Sequence, residues 1–128
     1  MVIDSSALVA ILEDEPERAA FTDKIVADPI RLLSAANYLE TAIVIDDRFG
    51  TRGERELRLF MLEAGITVVP VTVEHAELAR AACRRFGRGY HPARLNFGDC
   101  FAYALAQDSG EPLLFKGRDF SQTDLGFA

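Results

Sequence analysis

At 128 residues, 49% hydrophobic and 27% charged, the chain has the composition of one ordinary globular domain spanning residues 1–128, large enough to bury a core without disulfides or structural metal. Its two cysteines, Cys83 and Cys100, form no CxxC pair, which excludes a zinc knuckle or disulfide framework, and no apolar run approaches the roughly 20 residues of a membrane span. The net charge of −6 argues against a bulk nucleic-acid binder, although "RRFGRGYHPAR" (84–94) carries four arginines and a histidine with no acid.

In chain order, "MVID" is a short β-branched run suited to a buried strand, and Ser5 or Ser6 can cap the helix "SSALVAIL". Asp4 breaks that first apolar run and no basic n-region precedes it, so no secretory signal is expected and the protein is read as soluble and cytoplasmic. "EDEPERAAFTDKIVADP" reads as a helix with Pro16 just inside its start, acids in its first turn and Pro29 past its end. "IRLLS" is a second strand, and Ser34 caps "AANYLETAIVIDDRF". A separate helix covers 52–64 and ends near Gly65, "ITVVPV" is a third strand, and Thr72 opens a helix over 73–86. "LNFGDCFAYALA" starts another helix, with Asn96 as cap and Asp99 at its third position, and Gly110 and Pro112 close it. "PLLFK" is a fourth strand and "LGFA" a marginal fifth.

Short buried strands alternating with helices indicate an α/β fold with a mostly parallel sheet covered on both faces. Ligands of such sheets gather outside the carboxyl ends of the strands, where the returning helices also begin. Asp4 ends the first strand, Glu40 lies early in the helix after the second, Asp99 starts the helix before the fourth, and Asp119 follows that strand. Each acid taken alone has a bland explanation as a cap or turn residue. Glu40 is harder to dismiss, because Ala36, Ile43 and Val44 share its helix face, with Asn37 the one polar member, and that stripe is expected to be buried.

Two carboxylates ~4 Å apart repel by about 4 kcal/mol at an effective dielectric near 20. Several such pairs would consume most of the roughly 5–15 kcal/mol that holds a domain together. An acidic cluster therefore takes up protons or binds cations, and oxygen-only ligands select a hard ion, Mg²⁺ or Mn²⁺. Such an ion favours phosphate as co-ligand and supports phosphodiester hydrolysis. Arg88 and Arg94 in the basic loop, and Lys116 beside Asp119, are the residues expected to hold the substrate backbone. Gly98, without a side chain, is read as leaving room for that backbone.

"MVIDSSALVAIL", "SAANYLETAIVI", "LNFGDCFAYALA" and "PLLFKGRDF" resemble, in order and spacing over essentially the whole chain, the motifs of PIN-domain nucleases, and more narrowly those of the VapC toxins. The resemblance implies a three-layer α/β/α sandwich, a Mg²⁺- or Mn²⁺-dependent endoribonuclease activity on RNA, and a small VapB-like antitoxin as inhibitor. It implies that Asp4, Glu40, Asp99 and Asp119 are the catalytic, metal-holding acids, with Asp124 an alternative for the fourth, and that Ser6 supports them. Ser5 stands where family members often have Thr, which keeps a hydroxyl. A homodimer is also expected.

Two other readings compete. A PIN-like RNA-binding or interaction module without nuclease activity would lack one or more of the four acids, and none is missing. A phosphoacceptor receiver domain would have paired acids after the first strand and one ending the third, whereas here "SSAL" follows Asp4 and "ITVVPV" ends without an acid. Of the remaining residues, His75 is read as a surface residue, His91 as a loop residue near phosphate, and Cys83 and Cys100 as buried fillers. Tyr90 is assigned to packing, with base stacking the alternative. Leu57, Phe60 and Met61 belong either to the core or to a surface shared with an antitoxin or second copy.

Overall fold

A computed structural model describes residues 1–89 and 91–128. Four strands, β1 (Val2–Ile3), β2 (Leu32–Ser34), β3 (Thr67–Val69) and β4 (Leu113–Leu114), form one parallel sheet in the order β3-β2-β1-β4. Val2 pairs with both Leu32 and Leu113, which makes β1 a central strand. Among the described residues five helices surround the sheet: α1 (Ser5–Leu12), α2 (Arg18–Ala27), α3 (Ala35–Glu63), α4 (Val73–Phe86) and α5 (Phe97–Ser109).

The period-2 alternation of strands sets the layers. Val2 and Leu113 point into a core with α4 and α5, built around Phe86, Tyr103 and Leu105. Ile3, Leu33 and Leu114 point the opposite way, into a second core with Leu8 and Ile11 of α1 and Ile25 of α2. Phe60 and Met61 pack on that second core and Leu57 is buried, so the apolar face of residues 54–66 is core. The result is the α/β/α sandwich expected from the alternation of elements.

Local signals hold at most helix ends. Ser34, Thr72 and Asn96 each cap with their side chains, and Gly110 ends α5 in the left-handed region at φ 71°. The two helices expected over 35–64 meet at Gly50, whose φ of 58° and ψ of −142° break α3 with a conformation that suits glycine. Three local expectations change. The cap of α1 is Asp4, whose Oδ2 accepts the Ser6 N–H at 3.0 Å, in place of Ser5 or Ser6. Pro16 lies in a turn two residues before α2 rather than inside it, which frees Glu15 and Glu17 for contacts elsewhere. The marginal fifth strand reduces to a single bridge between Leu113 and Phe127.

Chain order places the site. From β1 the chain builds outward through β2 to β3, then α4 and α5 carry it back to lay β4 on the other side of β1. The topological switch point thus lies at the carboxyl ends of β1 and β4, where an open parallel sheet forms its ligand crevice.

Candidate functional site

That crevice is a cleft of about 520 Å³ whose walls include Asp4, Glu40, Asp99 and Asp119, from four separate segments. Asp4 and Asp99 are buried carboxylates with double duty. Asp4 gives Oδ2 to the cap of α1 and leaves Oδ1 buried without a hydrogen-bond partner. Asp99 closes a capping box: its N–H donates to Asn96 Oδ1 at 2.9 Å, and its Oδ2 accepts the Asn96 N–H at 3.0 Å. A cap therefore fixes each carboxylate in place, and capping and a role in the cleft are compatible.

Glu40 reaches the cleft differently. Its helix face is half open, with Ile43 59% exposed, so the expected buried apolar stripe is not what surrounds it. The Ser5 hydroxyl donates to its Oε1, and the amide of fully buried Asn37 lies 3.4 Å from the same oxygen. Asn37 also donates to the Gly98 carbonyl at 3.0 Å, tying α3 to the first turn of α5. The space beside Gly98 is already taken: a Cβ there would lie 2.7 Å from Glu40 Cδ. The opening expected for a nucleic-acid backbone is the seat of the Glu40 carboxylate.

Asp119 is exposed on the cleft wall. Asp124 lies elsewhere, where its carboxylate accepts from Tyr103 Oη at 2.6 Å and from Arg85 at 3.0 Å, contacts that hold it below the usual carboxylate range. Ser6 sits beneath Asp4, with its Oγ accepting the Lys116 N–H at 2.9 Å. Lys116 also lines the cleft, but its ammonium is engaged by Glu15 and lies 3.4 Å from Glu17. Arg48, unremarked in the sequence, lines the same cleft paired to Glu13. Six acids against these two paired bases leave the cleft strongly negative.

Two proton affinities register that crowding. Burial pushes Asp4 up to about 6, against the Ser6 hydroxyl and N–H, with the charge of Glu40 adding to the rise. Burial likewise pushes Asp99 up to about 7, against the Asn96 N–H, with Asp4 and Asp119 adding to it. A site that draws protons this way also draws a cation, and the donors on offer are carboxylate oxygens. Among the described residues no three His, Cys, Asp or Glu side chains are gathered into a ready-made cage. Asp4 Oδ1, buried and without a hydrogen-bond partner, is one carboxylate oxygen open to such a cation.

The family model that matches is that of the PIN domain, over residues 1–125. The chain belongs to the PIN domain family. Within it, this PIN domain falls among the VapC ribonucleases. It is 56% identical to Ribonuclease VapC30 of Mycobacterium tuberculosis over 125 residues, which cover 98% of this chain and 95% of that protein. It is 55% identical to Ribonuclease VapC of Mycolicibacterium smegmatis, covering 98% and 97%. The crystal structure of Mycobacterium tuberculosis VapC20, described as a sarcin-ricin loop cleaving toxin, superposes with a TM-score of 0.79 over 99% of this chain and 97% of that one. At 20% identity that likeness speaks for the fold.

The other sequence expectations land variously on this PIN domain. Arg88 and Arg94 are exposed on the loop that follows α4, outside the acidic cleft. Tyr90 lies outside the described residues. His91 turns its Nδ1 to the Ala93 N–H and its ring edge to Phe86. His75 is buried at 5% exposure, its Nε2 2.8 Å from Asp108 Oδ2, because α5 packs over the face that the sequence left open. Cys83 is exposed, and Cys100 is buried with its thiol pushed up to about 12 by burial. Ser5 and Asn37 stand in the sequence as a cap and retained hydroxyl and as the polar member of the Glu40 face, but neither is assigned there to hold Glu40. Their signal was present as a second hydroxyl after Asp4 and a lone amide one turn before Glu40. No described helix is long and apolar enough to cross a membrane.

Proposed function

We propose that the whole chain acts as a metal-dependent endoribonuclease toxin, cutting RNA phosphodiester bonds and held in check by a VapB-like antitoxin. The observation that carries this reading is the convergence of Asp4, Glu40, Asp99 and Asp119 on one cleft, with Asp4 Oδ1 buried and unpartnered. Asp4, Asp99, Glu40 and Asp119 are the residues that would hold the cation. When bound there, Mg²⁺ or Mn²⁺ would supply water activation and charge stabilisation for phosphodiester hydrolysis. Ser5 and Asn37 hold the Glu40 carboxylate in its orientation, and the Ser6 hydroxyl and N–H steady Asp4. Arg88 and Arg94 supply positive charge for the substrate backbone, as does Lys116 once released from Glu15. A homodimer in the cytoplasm is the expected form.

The test is cleavage of RNA by purified protein, wild type against Asp99→Asn, with Mg²⁺, with Mn²⁺ and with excess EDTA. The reading requires cleavage by the wild type that either metal supports and EDTA abolishes. Undiminished cutting in EDTA would remove the metal from the mechanism, and no cutting under any condition would leave a binding module.

A further inference from the structure

A second depression borders the acidic cleft. It is a groove of about 670 Å³ between α4 and α5, and it meets the cleft at Asn96, which lines both. Its floor is apolar, with Phe97 82% exposed at its edge and packed edge-to-face on Phe101 at 5.0 Å between centroids. Its other edge carries Arg80, Arg84 and Arg88, and no carboxylate lines it. Among the described residues, Arg84 and Arg88 have no acid within ion-pair distance, and Arg80 has only Glu77 at 3.8 Å.

Among the described residues, two unpaired guanidinium groups and a third held only by Glu77 stand above an apolar floor, which is unexpected on a chain of net charge −6. They select an occupant that is a polyanion and also presents flat apolar faces. Single-stranded nucleic acid has both properties, with phosphates for arginine and bases for an exposed aromatic ring. The spacing agrees. Arg80 and Arg84 are one helical turn apart on α4, a rise of about 6 Å that is close to the phosphate repeat of an extended strand. Arg88, two residues past the end of α4, lines the same groove.

We propose that this groove is the track along which the RNA strand leaves the acidic cleft, with Arg80, Arg84 and Arg88 taking successive phosphates and Phe97 stacking a base. The assignment rests on the ribonuclease reading above and adds to it two phosphate-binding residues, Arg80 and Arg84, and a stacking platform that the loop-centred expectation did not contain.

The experiment measures binding of a fluorescein-labelled oligouridine of about twelve nucleotides, in an Asp99→Asn background so that the probe stays whole, across a salt series. Arg80→Ala and Arg84→Ala are each expected to reduce the log–log salt slope by about 0.7. Phe97→Ala is expected to weaken binding by about 5- to 150-fold while Phe97→Tyr keeps it. Arg52→Ala and Arg58→Ala, on exposed arginines of α3 paired to Glu56 and Glu54, should leave slope and affinity unchanged. As an independent readout, alkylation of Cys83, exposed on the groove, should slow when the oligouridine is bound. Unchanged binding in every groove variant, with RNA still cut by the parent protein, overturns the track and leaves the ribonuclease standing. A parent that neither binds nor cuts RNA overturns both. If Phe97→Ala instead turns a sedimenting dimer into a monomer with the salt slope intact, the face is a contact between copies and the track is wrong.

Discussion

Gly98 and Glu40 occupy one site between them: the Cβ that Gly98 lacks would collide with the carboxylate that Glu40 lays across it. The contact joins the first turn of α5 to the second turn of α3. It makes the glycine part of the acid's binding surface.

Gly98→Ala should therefore displace the Glu40 carboxylate and lower RNA cleavage by about 10- to 100-fold, the usual loss when the support of a metal-holding group is disturbed. Stability should hold or rise, since alanine favours a helix over glycine by about 1 kcal/mol and the displaced group is the end of a flexible side chain. Thermal melts alongside cleavage rates decide the point. An unfolded variant, or a fully active one, contradicts the arrangement.

Ser5→Ala removes the hydroxyl that holds Glu40 Oε1 and should cost cleavage about 10-fold, mainly in kcat, with little change in KM for RNA. Ser5→Thr retains the donor and should recover most of the activity. If Thr and Ala behave alike, the hydroxyl does not position Glu40.

Asp99→Asn should abolish cleavage and stabilise the metal-free protein. An asparagine carbonyl still accepts the Asn96 N–H, so the cap survives. The folded carboxyl protonates at about 7, far above its ordinary value of 3.8. Well below pH 3.8 it is neutral in folded and unfolded chains alike and stability is unaffected. As pH rises through 4 to 7 the folded chain retains a proton that the unfolded chain has released, so wild-type stability falls across that window. The advantage of Asp99→Asn in EDTA should thus be smallest at and below pH 4, grow toward pH 7, and shrink when Mg²⁺ is added to the wild type. Denaturation at several pH values with EDTA reads it directly, and a pH-independent difference would mean that the carboxyl is not under this strain.

His75→Ala should destabilise the fold by about 2–4 kcal/mol by opening a cavity under α5 and breaking the bond to Asp108. Asp108→Ala, at the exposed end of the same pair, should cost about 1 kcal/mol. Urea denaturation of the two variants separates burial from the hydrogen bond, and equal losses would assign the whole effect to the bond.

Much was legible in the residues because it is written over short spans. The caps at Ser34, Thr72 and Asn96, the Asn96–Asp99 box, the stop at Gly110 and the helix break before residue 52 depend on neighbours within a turn or two, and the structure has all of them. The alternation of short apolar strands with helices was enough for a covered parallel sheet, which in turn placed four acids at strand ends and helix starts. What tertiary structure alone decided lies between residues far apart in sequence. Ser5 meets Glu40 across 35 positions, Asn37 meets Gly98 across 61, and His75 meets Asp108 across 33. No periodicity encodes such pairs, because they depend on which helix the sheet lays over which. The same packing buried His75, opened the face around Ile43, sent Asp124 to Tyr103 and left one oxygen of Asp4 without a partner. The sequence alone determined that acids would meet at one rim. Folding decided which oxygens are spent on holding the fold and which are left for a ligand.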